Sequence, residues 1–517
     1  MAPVIQDLPD DILYRVFREL VRTWEQNAKN ARAESNSLVH RRDGWAHTLT
    51  HVCRRWRAFS LNSCALWTNI AFGVPDETLA FLDRARAAPL RVTGKVQANM
   101  DDDTIRRTLG VVLDRSEQIV ALDLSIPATE PPIFATFGPR SFHNIVSLSL
   151  AREYGHDMGE ITLPSFFDSE HIFTYLKDLR LHNYPLDTVL HSPLSVHMLT
   201  TFDLAVCHPL QMSLIFDLLK NMPYLEELSV GGFRDPAEWY HEHYPDTIPL
   251  LHLRRLSLHS MALGGASLLD HLEVPSVISV SLNLFSDAID GVVSLLPNGD
   301  MPMIATTIAD TLFVAETQTP FPDITALAIH LSDWDGQASH IRGWSLPSPL
   351  AALPISGAQL LDEATADTPI PSFDVRLQGF TSAEIIQDLC TILPLENVQI
   401  LFISSCKHSY VHGRELTRQN WQDLLVRMPD LRALSATLDA IMPLPALLCP
   451  ETDDDGKIHV PFPHLSRLSI RHYETPREHG PLPDRMEELT ESLLRRAEYG
   501  SEVDFDFGWL SGPWFSL

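Results

Sequence analysis

One spacing recurs along most of this chain: an apolar residue, two variable ones, a second apolar residue, one variable, a third apolar. It appears as Ile119/Leu122/Leu124, Ile145/Leu148/Leu150, Leu176/Leu179/Leu181, Leu199/Phe202/Leu204 and Leu225/Leu228/Val230. It continues as Leu253/Leu256/Leu258, Val277/Val280/Leu282, Ile324/Leu327/Ile329, Val398/Leu401/Ile403, Leu431/Leu434/Ala436 and Leu465/Leu468/Ile470. The first seven central positions are separated by 26, 31, 23, 26, 28 and 24 residues. Apolar residues two apart share one face of a strand, so each unit predicts a short strand with a helix or turn before the next. Two connecting segments align with each other, Leu218-Leu219-Lys220-Asn221-Met222-Pro223 and Leu424-Leu425-Val426-Arg427-Met428-Pro429. A helix runs toward the Met, proline forbids its continuation, and a strand opens soon after. No single unit buries its apolar stripe alone. Stacking does, and the chain grows by repetition rather than around one central core.

These intervals and residues resemble leucine-rich repeats. Leu199 to Cys207 and Val398 to Cys406 place cysteine where the family pattern allows Asn or Cys, which implies a buried structural role for both thiols. In the family's geometry the variable residues beside the central apolar position lie on a concave strand face. Here they are Asp178, Arg180, His182, Thr201, Asp203, Glu227, Ser229, Arg255, Ser257 and His259, with Ser279 and Ser281 beyond, and the resemblance implies a target-binding surface there. The period fails between Leu282 and Ile324 and again from Leu331 to about Ser372, where Gly343, Pro347, Pro349, Pro354, Gly357 and Pro371 gather. This irregular stretch, about 283–372, reads as degenerate repeats interrupted by a loop.

The head of the chain is different. Leu8-Pro9 opens a segment with Ile12, Leu13, Val16, Phe17 and Leu20 at helical spacing, and Asp7, Asp10 and Asp11 suit a helix start. Then come Val52-Cys53-Arg54-Arg55-Trp56-Arg57 and Leu66-Trp67. In order and identity these residues resemble an F-box: Leu-Pro, Phe-x-x-Leu, Val-Cys-x-x-Trp-Arg, Leu-Trp. The chain departs from that pattern between Leu20 and Val52, where a polar insertion at about 22–42 reads as a solvated helical extension or loop. Together the two motifs resemble F-box proteins with leucine-rich repeats of the type common in mushroom-forming fungi.

The expected fold class is therefore α/β, a small N-terminal helical F-box followed by a curved solenoid with parallel strands on its concave face and helices and turns outside. The expected domains are 1–75 for the F-box, 76–118 for a helical connector, 119–482 for the solenoid, and 483–517 for a C-terminal helix and capping tail. In that tail Val503 to Trp509 alternates like a strand.

Composition limits the partners. Sixty-seven acidic residues against 39 basic ones give a net charge of −28, which repels phosphate backbones and anionic lipid. No nucleic-acid or membrane partner is expected, and basic protein segments are better candidates. The N-terminus lacks signal-peptide character, and the six cysteines are scattered without a Cys-x-x-Cys pair, so the expected compartment is cytoplasmic or nuclear.

No chemistry stands out. His241-Glu242-His243 lacks an evident third ligand, and the Asp453-Asp454-Asp455-Gly456 run would need a Glu where Phe462 stands. Gly456-Lys457 is followed by Ile458 rather than Ser or Thr, and no Gly-x-Ser-x-Gly elbow occurs. The expectation is a non-enzyme with no catalytic residue, cofactor or metal. What the resemblance implies is the substrate receptor of a Skp–cullin–F-box ubiquitin ligase. Leu8, Pro9, Ile12, Leu13, Phe17, Val52 and Trp56 would contact a Skp-type adaptor and, through it, a cullin, while the repeats hold an unidentified target. The alternative is a leucine-rich-repeat scaffold or protein-binding module without a ligase role.

Overall fold

The computed structural model describes residues 8–34, 44–72, 74–96, 100–129, 132–153, 163–164, 166–167, 173–184, 196–205, 212–233, 247–275, 279–285, 300–312, 323–332, 338–346, 371–378, 385–390, 392–406, 417–437, 443–452, 455–473 and 482–510. They form two compact units, Met1–Leu210 and Gln211–Leu517.

The first unit opens with helices α1 (Asp10–Glu34), α2 (Gly44–His51) and α3 (Arg54–Asn62). Six strands follow: β1 (Asn69–Phe72), β2 (Leu90–Lys95), β3 (Ile119–Ile126), β4 (Ser147–Arg152), β5 (Asp178–His182) and β6 (Thr201–Ala205). Helix α4 (Pro75–Ala85) joins β1 to β2. Every strand is parallel to its neighbour, in sequence order. The register explains the repeat spacing: Leu122, Leu148, Leu179 and Phe202 stand side by side across four strands. All four are buried, as are Leu124, Leu150, Leu181 and Leu204 two residues on. Each Leu taken from water contributes about 1.5–3 kcal/mol, so a ladder shared between strands is stable where a lone one is not. Between strands Phe134, Phe142, Phe166, Phe167 and Phe173 are buried, with centroid separations of 5.5 Å for Phe134–Phe166, 5.1 Å for Phe142–Phe167 and 5.7 Å for Phe167–Phe173.

The second unit contains β7 (Glu227–Phe233), β8 (Ile248–Pro249), β9 (Arg255–Met261), β10 (Leu272–Glu273), β11 (Ser279–Phe285), β12 (Ala326–Ser332) and β13 (Ala338–Trp344). It continues with β14 (Phe373–Gln378), β15 (Ile400–Cys406), β16 (Ala433–Thr437), β17 (Glu451–Thr452), β18 (Ile458–His459), β19 (Arg467–Tyr473) and β20 (Asp504–Leu510). Strands β8 and β10, and β17 and β18, make two small separate pairs. The ten others run in the order β7-β9-β11-β14-β13-β12-β15-β16-β19-β20. All eleven units of the sequence repeat are strands in one or other unit.

Two expectations need correction. The connector at 76–118 is not purely helical, because β2 lies within it and pairs with β1 and β3. Leu90 and Val92 are both buried and give this strand its apolar face. The irregular stretch is not a run of repeats in sequence order. Strand β13 is antiparallel to both β12 and β14, and β14 turns back to pair parallel with β11. Two successive reversals restore the direction, so β12 is again parallel to β15. Buried Phe373, Val375 and Leu377 make β14 an apolar match for Val280, Leu282 and Leu284 of β11.

Of the insertion at 22–42, Arg22 to Glu34 continue α1, and residues 35–42 lie outside the described residues. Helices Met212–Lys220 and Arg418–Val426 end two residues before Met222 and Met428, each of which precedes a proline. The C-terminal helix spans Leu482–Glu498 with Arg495 and Arg496 in its last turn, and β20 pairs parallel with β19. Among the described residues no helix is long and apolar enough to cross a membrane.

Candidate partner-binding surfaces

At the head, the Leu-Pro and Val-Cys-x-x-Trp-Arg segments are brought together. The Pro9 carbonyl accepts from the Ile12 and Leu13 amides at 3.1 and 3.0 Å and so starts α1. Cys53 caps α3, its Sγ accepting from the Trp56 amide at 3.4 Å. Arg55 Nη2 donates to the Leu8 carbonyl at 2.6 Å and to Asp10 Oδ1 at 2.7 Å, tying the start of α1 to α3. Phe17 meets Trp56 edge-on at 4.8 Å and Phe59 at 5.7 Å. Trp67, fully buried, donates its indole N–H to the Ser60 carbonyl at 2.7 Å.

These contacts sort the seven predicted adaptor residues. Leu13 and Phe17 are 0 % exposed, which places them in the head's own core and corrects the expectation that they form a contact surface. The reason is the helical period: Leu13, Phe17 and Val21 lie on one stripe, and all three are buried. Pro9 and Val52 are exposed, while Leu8, Ile12 and Trp56 are half-buried. Val16 is 47 % exposed and continues the outward stripe from Pro9 and Ile12, which makes it a surface residue absent from the predicted set. The i, i+4 spacing of Ile12 and Val16 carried that signal in the sequence.

The variable residues of the repeats lie on the sheet face opposite the buried ladders. In the first unit, register places Thr93, Asp123, Ser149, Arg180 and Asp203 in one transverse row. Asp178 and Thr201 pair in the row beside it. None of these seven residues is buried. Arg180 Nε lies 3.1 Å from Asp178 Oδ1, Ser147 donates to Asp178 at 3.0 Å, and Ser149 donates to Asp123 at 3.1 Å. His182 Nε2 lies 3.2 Å from Asp203 Oδ2. That hydrogen bond raises the imidazole pKa, against an opposing effect of burial.

In the second unit Glu227, Arg255 and Ser279 share one row, and Ser229, Ser257, Ser281 and Asp374 the next. Arg255 pairs with Glu227 at 2.8 Å. The following row runs His259, Asn283, Arg376, His340, His330, Ser404. Asn283 Nδ2 lies 2.9 Å from His259 Nδ1, and His330 Nδ1 lies 2.8 Å from Ser404 Oγ. His340 Nε2 bonds Asp374 Oδ1, and Arg342 Nε lies 3.4 Å from the other oxygen of that carboxylate. Burial and the neighbouring His340 push the His330 pKa down to about 4.

Exposure falls along this face. His259 is exposed and Asn283 and Arg376 are half-buried, but His340, Arg342, Ser404, Ser435 and Ser469 are buried. Ala326, Ala328, Trp344, Ile400, Phe402 and Ala433 form a buried apolar cluster there. In each unit, described by itself, the predicted target residues are half-buried or exposed on the polar face. His340 and Arg342 were missed because β13 lies inside the irregular stretch, and Asp374 and Arg376 because β14 begins at its end. Ile370-Pro371-Ser372-Phe373-Asp374-Val375 does carry the repeat spacing, and was the signal available.

Among the described residues no group of three His, Cys, Asp or Glu side chains is placed to hold a metal. His241, Glu242, His243 and Cys207 lie outside the described residues. Cys390 is buried, and burial raises its thiol pKa to about 12, which keeps it protonated and unreactive. No family model matches this chain, and no curated protein matches it.

Proposed function

We propose that this chain is a substrate-recognition subunit of a Skp–cullin–F-box ubiquitin ligase. The head docks on a Skp-type adaptor, the open polar face of the repeats holds a target protein, and the reaction is accelerated by proximity to a conjugating enzyme that the ligase recruits. The observation that carries this reading is the double apolar character of α1. Leu13, Phe17 and Val21 are spent on the head's own core, yet Pro9, Ile12 and Val16 continue apolar on the outside, and Val52 is exposed as well. A soluble helix keeps a second apolar stripe at a cost unless a partner covers it.

Co-expression with a Skp-type adaptor tests the proposal. The wild-type chain co-purifies with the adaptor, and an Ile12→Asp/Val16→Asp variant, folded by circular dichroism, does not. Each aliphatic side chain fully buried on docking contributes about 1.5–3 kcal/mol, so the double variant reduces affinity by orders of magnitude. Absence of wild-type binding, or equal binding by the folded variant, would overturn it.

A further inference from the structure

Strand β20 is the last of its sheet: β19 lies along one side, and among the described residues no strand lies along the other. Its seven residues keep regular parallel register with Arg467–Tyr473, without a shift and without a proline. A strand in that position leaves a row of backbone N–H and C=O groups on its outer edge without a strand to pair with. Its side chains alternate. Phe505 and Phe507 continue the apolar ladder of Leu468 and Ile470, yet those two are buried whereas Phe505 is half-buried and Phe507 is 36 % exposed. The ladder therefore ends with its last layer uncovered. At the intervening positions Asp504 and Asp506, with Glu502 just before the strand, set exposed carboxylates two residues apart. Arg471 pairs with Asp506 at 2.6 Å, while the Asp504 carboxylate has no hydrogen bond or ion pair among the described residues.

We propose that the outer edge of β20 takes an extended segment of another protein as an added strand, with basic side chains at alternate positions facing Asp504 and Asp506 and apolar ones between them covering Phe505 and Phe507. Main-chain bonds to an open edge give such an addition its affinity, and the alternating side chains give it specificity. Charge selects this occupant over a second copy of the chain. Two β20 strands side by side set carboxylates against carboxylates, which destabilises the pair, and each copy carries a net charge of −28. The same carboxylates guard the edge against unselective pairing and admit a strand of complementary charge. The proposal uses neither α1 nor the target residues of the repeats, so it stands independently of the ligase reading.

Fluorescence anisotropy of a labelled Lys-Val-Arg-Val-Lys-Val-Thr peptide, titrated with the full chain, tests it. Saturable binding is expected, with amide exchange over residues 504–510 slowed in the complex. Affinity falls about ten-fold in Asp504→Lys, which alters an exposed side chain outside the core. A peptide of the same composition with its basic residues contiguous keeps the charge, loses the alternation and binds far more weakly. No saturable binding of the alternating peptide, equal binding of the two peptides, or unchanged exchange in β20 would overturn the site. The peptide comparison uses the wild-type chain, so it decides the matter even where Asp504→Lys fails to fold. Sedimentation velocity of the chain alone covers the remaining occupant: a dimer that the alternating peptide dissociates would assign the edge to a second copy and overturn the basic segment. None of these measurements needs an adaptor, so their failure leaves adaptor docking standing.

Discussion

Arg55 and Asp10 are 45 residues apart in the chain and 2.7 Å apart in the head, and the same guanidinium nitrogen donates to the Leu8 carbonyl. The ion pair is largely solvent-exposed and contributes little by itself, under about 1 kcal/mol. The bond to a backbone carbonyl fixes where α1 begins, and with it the direction of the Pro9–Ile12–Val16 stripe. Arg55→Ala is therefore expected to cost about 1–2 kcal/mol, and Asp10→Ala less than half of that. Amide exchange over residues 8–16 reads the difference directly. Equal protection in the two variants would show that the carbonyl contact contributes nothing.

Phe17 and Val16 are neighbours in sequence and opposites in burial, at 0 % and 47 % exposed. Phe17→Ala removes a ring that packs on Trp56 and Phe59, and is expected to destabilise the head by about 3–5 kcal/mol. Val16→Asp leaves stability within about 0.5 kcal/mol and acts on adaptor binding alone. Urea titration followed by Trp fluorescence separates them. A destabilised Val16→Asp variant would mean that the outer stripe is covered within the chain.

The repeat grammar was legible because it is a packing rule. Leu327, Leu401, Leu434 and Leu468 were read as equivalent positions, and they are register partners across β12, β15, β16 and β19. Strand β13 escaped because Ser339 and Gly343 flank Ile341 on the face where other strands carry Leu or Val, and because it runs antiparallel. A spacing that encodes a turn followed by a parallel strand has no signature for a reversal. Strand β1 was overlooked for another reason: Trp67/Ile70/Phe72 has the repeat spacing, but Leu66-Trp67 was assigned to the head motif. At the head, side-chain direction was the missing information. Periodicity placed Leu13 and Val16 on one apolar surface, and only the position of α3 against α1 decides which of them faces solvent.

The histidines give the fold opposing pH dependences. Burial first, and the neighbouring His340 second, depress the His330 pKa from an ordinary 6.5 to about 4. Between those values the unfolded chain binds a proton that the folded chain does not, so stability falls as pH falls from about 6.5 to about 4. The loss reaches about 3 kcal/mol at the low end. His182 acts with the other sign: Asp203 raises its pKa, and its contribution is present below 6.5 and disappears as pH rises through the raised value. His330→Asn is expected to flatten the decline in urea midpoint between pH 7 and pH 4.5 relative to wild type. A decline of unchanged steepness would show that His330 is protonated without cost in the folded state.

At the C-terminal end Arg496 is fully buried, and its guanidinium donates to the Pro461 and Phe462 carbonyls and to Ser501 Oγ. Phe462 sits at φ 50°, in the left-handed region that a bulky residue adopts at a cost. The guanidinium thus holds a strained turn immediately before β19 and, through Ser501, the approach to β20. Arg496→Met keeps most of the aliphatic volume and removes the donors, leaving the part-buried Pro461 carbonyl without this partner while the Phe462 carbonyl keeps the Leu465 amide. An expected cost of about 2–4 kcal/mol follows, concentrated in β19 and β20. Phe462→Gly in the same background relaxes the turn and is expected to restore part of the loss, about 1 kcal/mol. Hydrogen exchange across residues 455–510 is the measurement. Protection of β19 and β20 unchanged in Arg496→Met would mean that the strands are held by their own register pairs, and that the buried arginine only fills space.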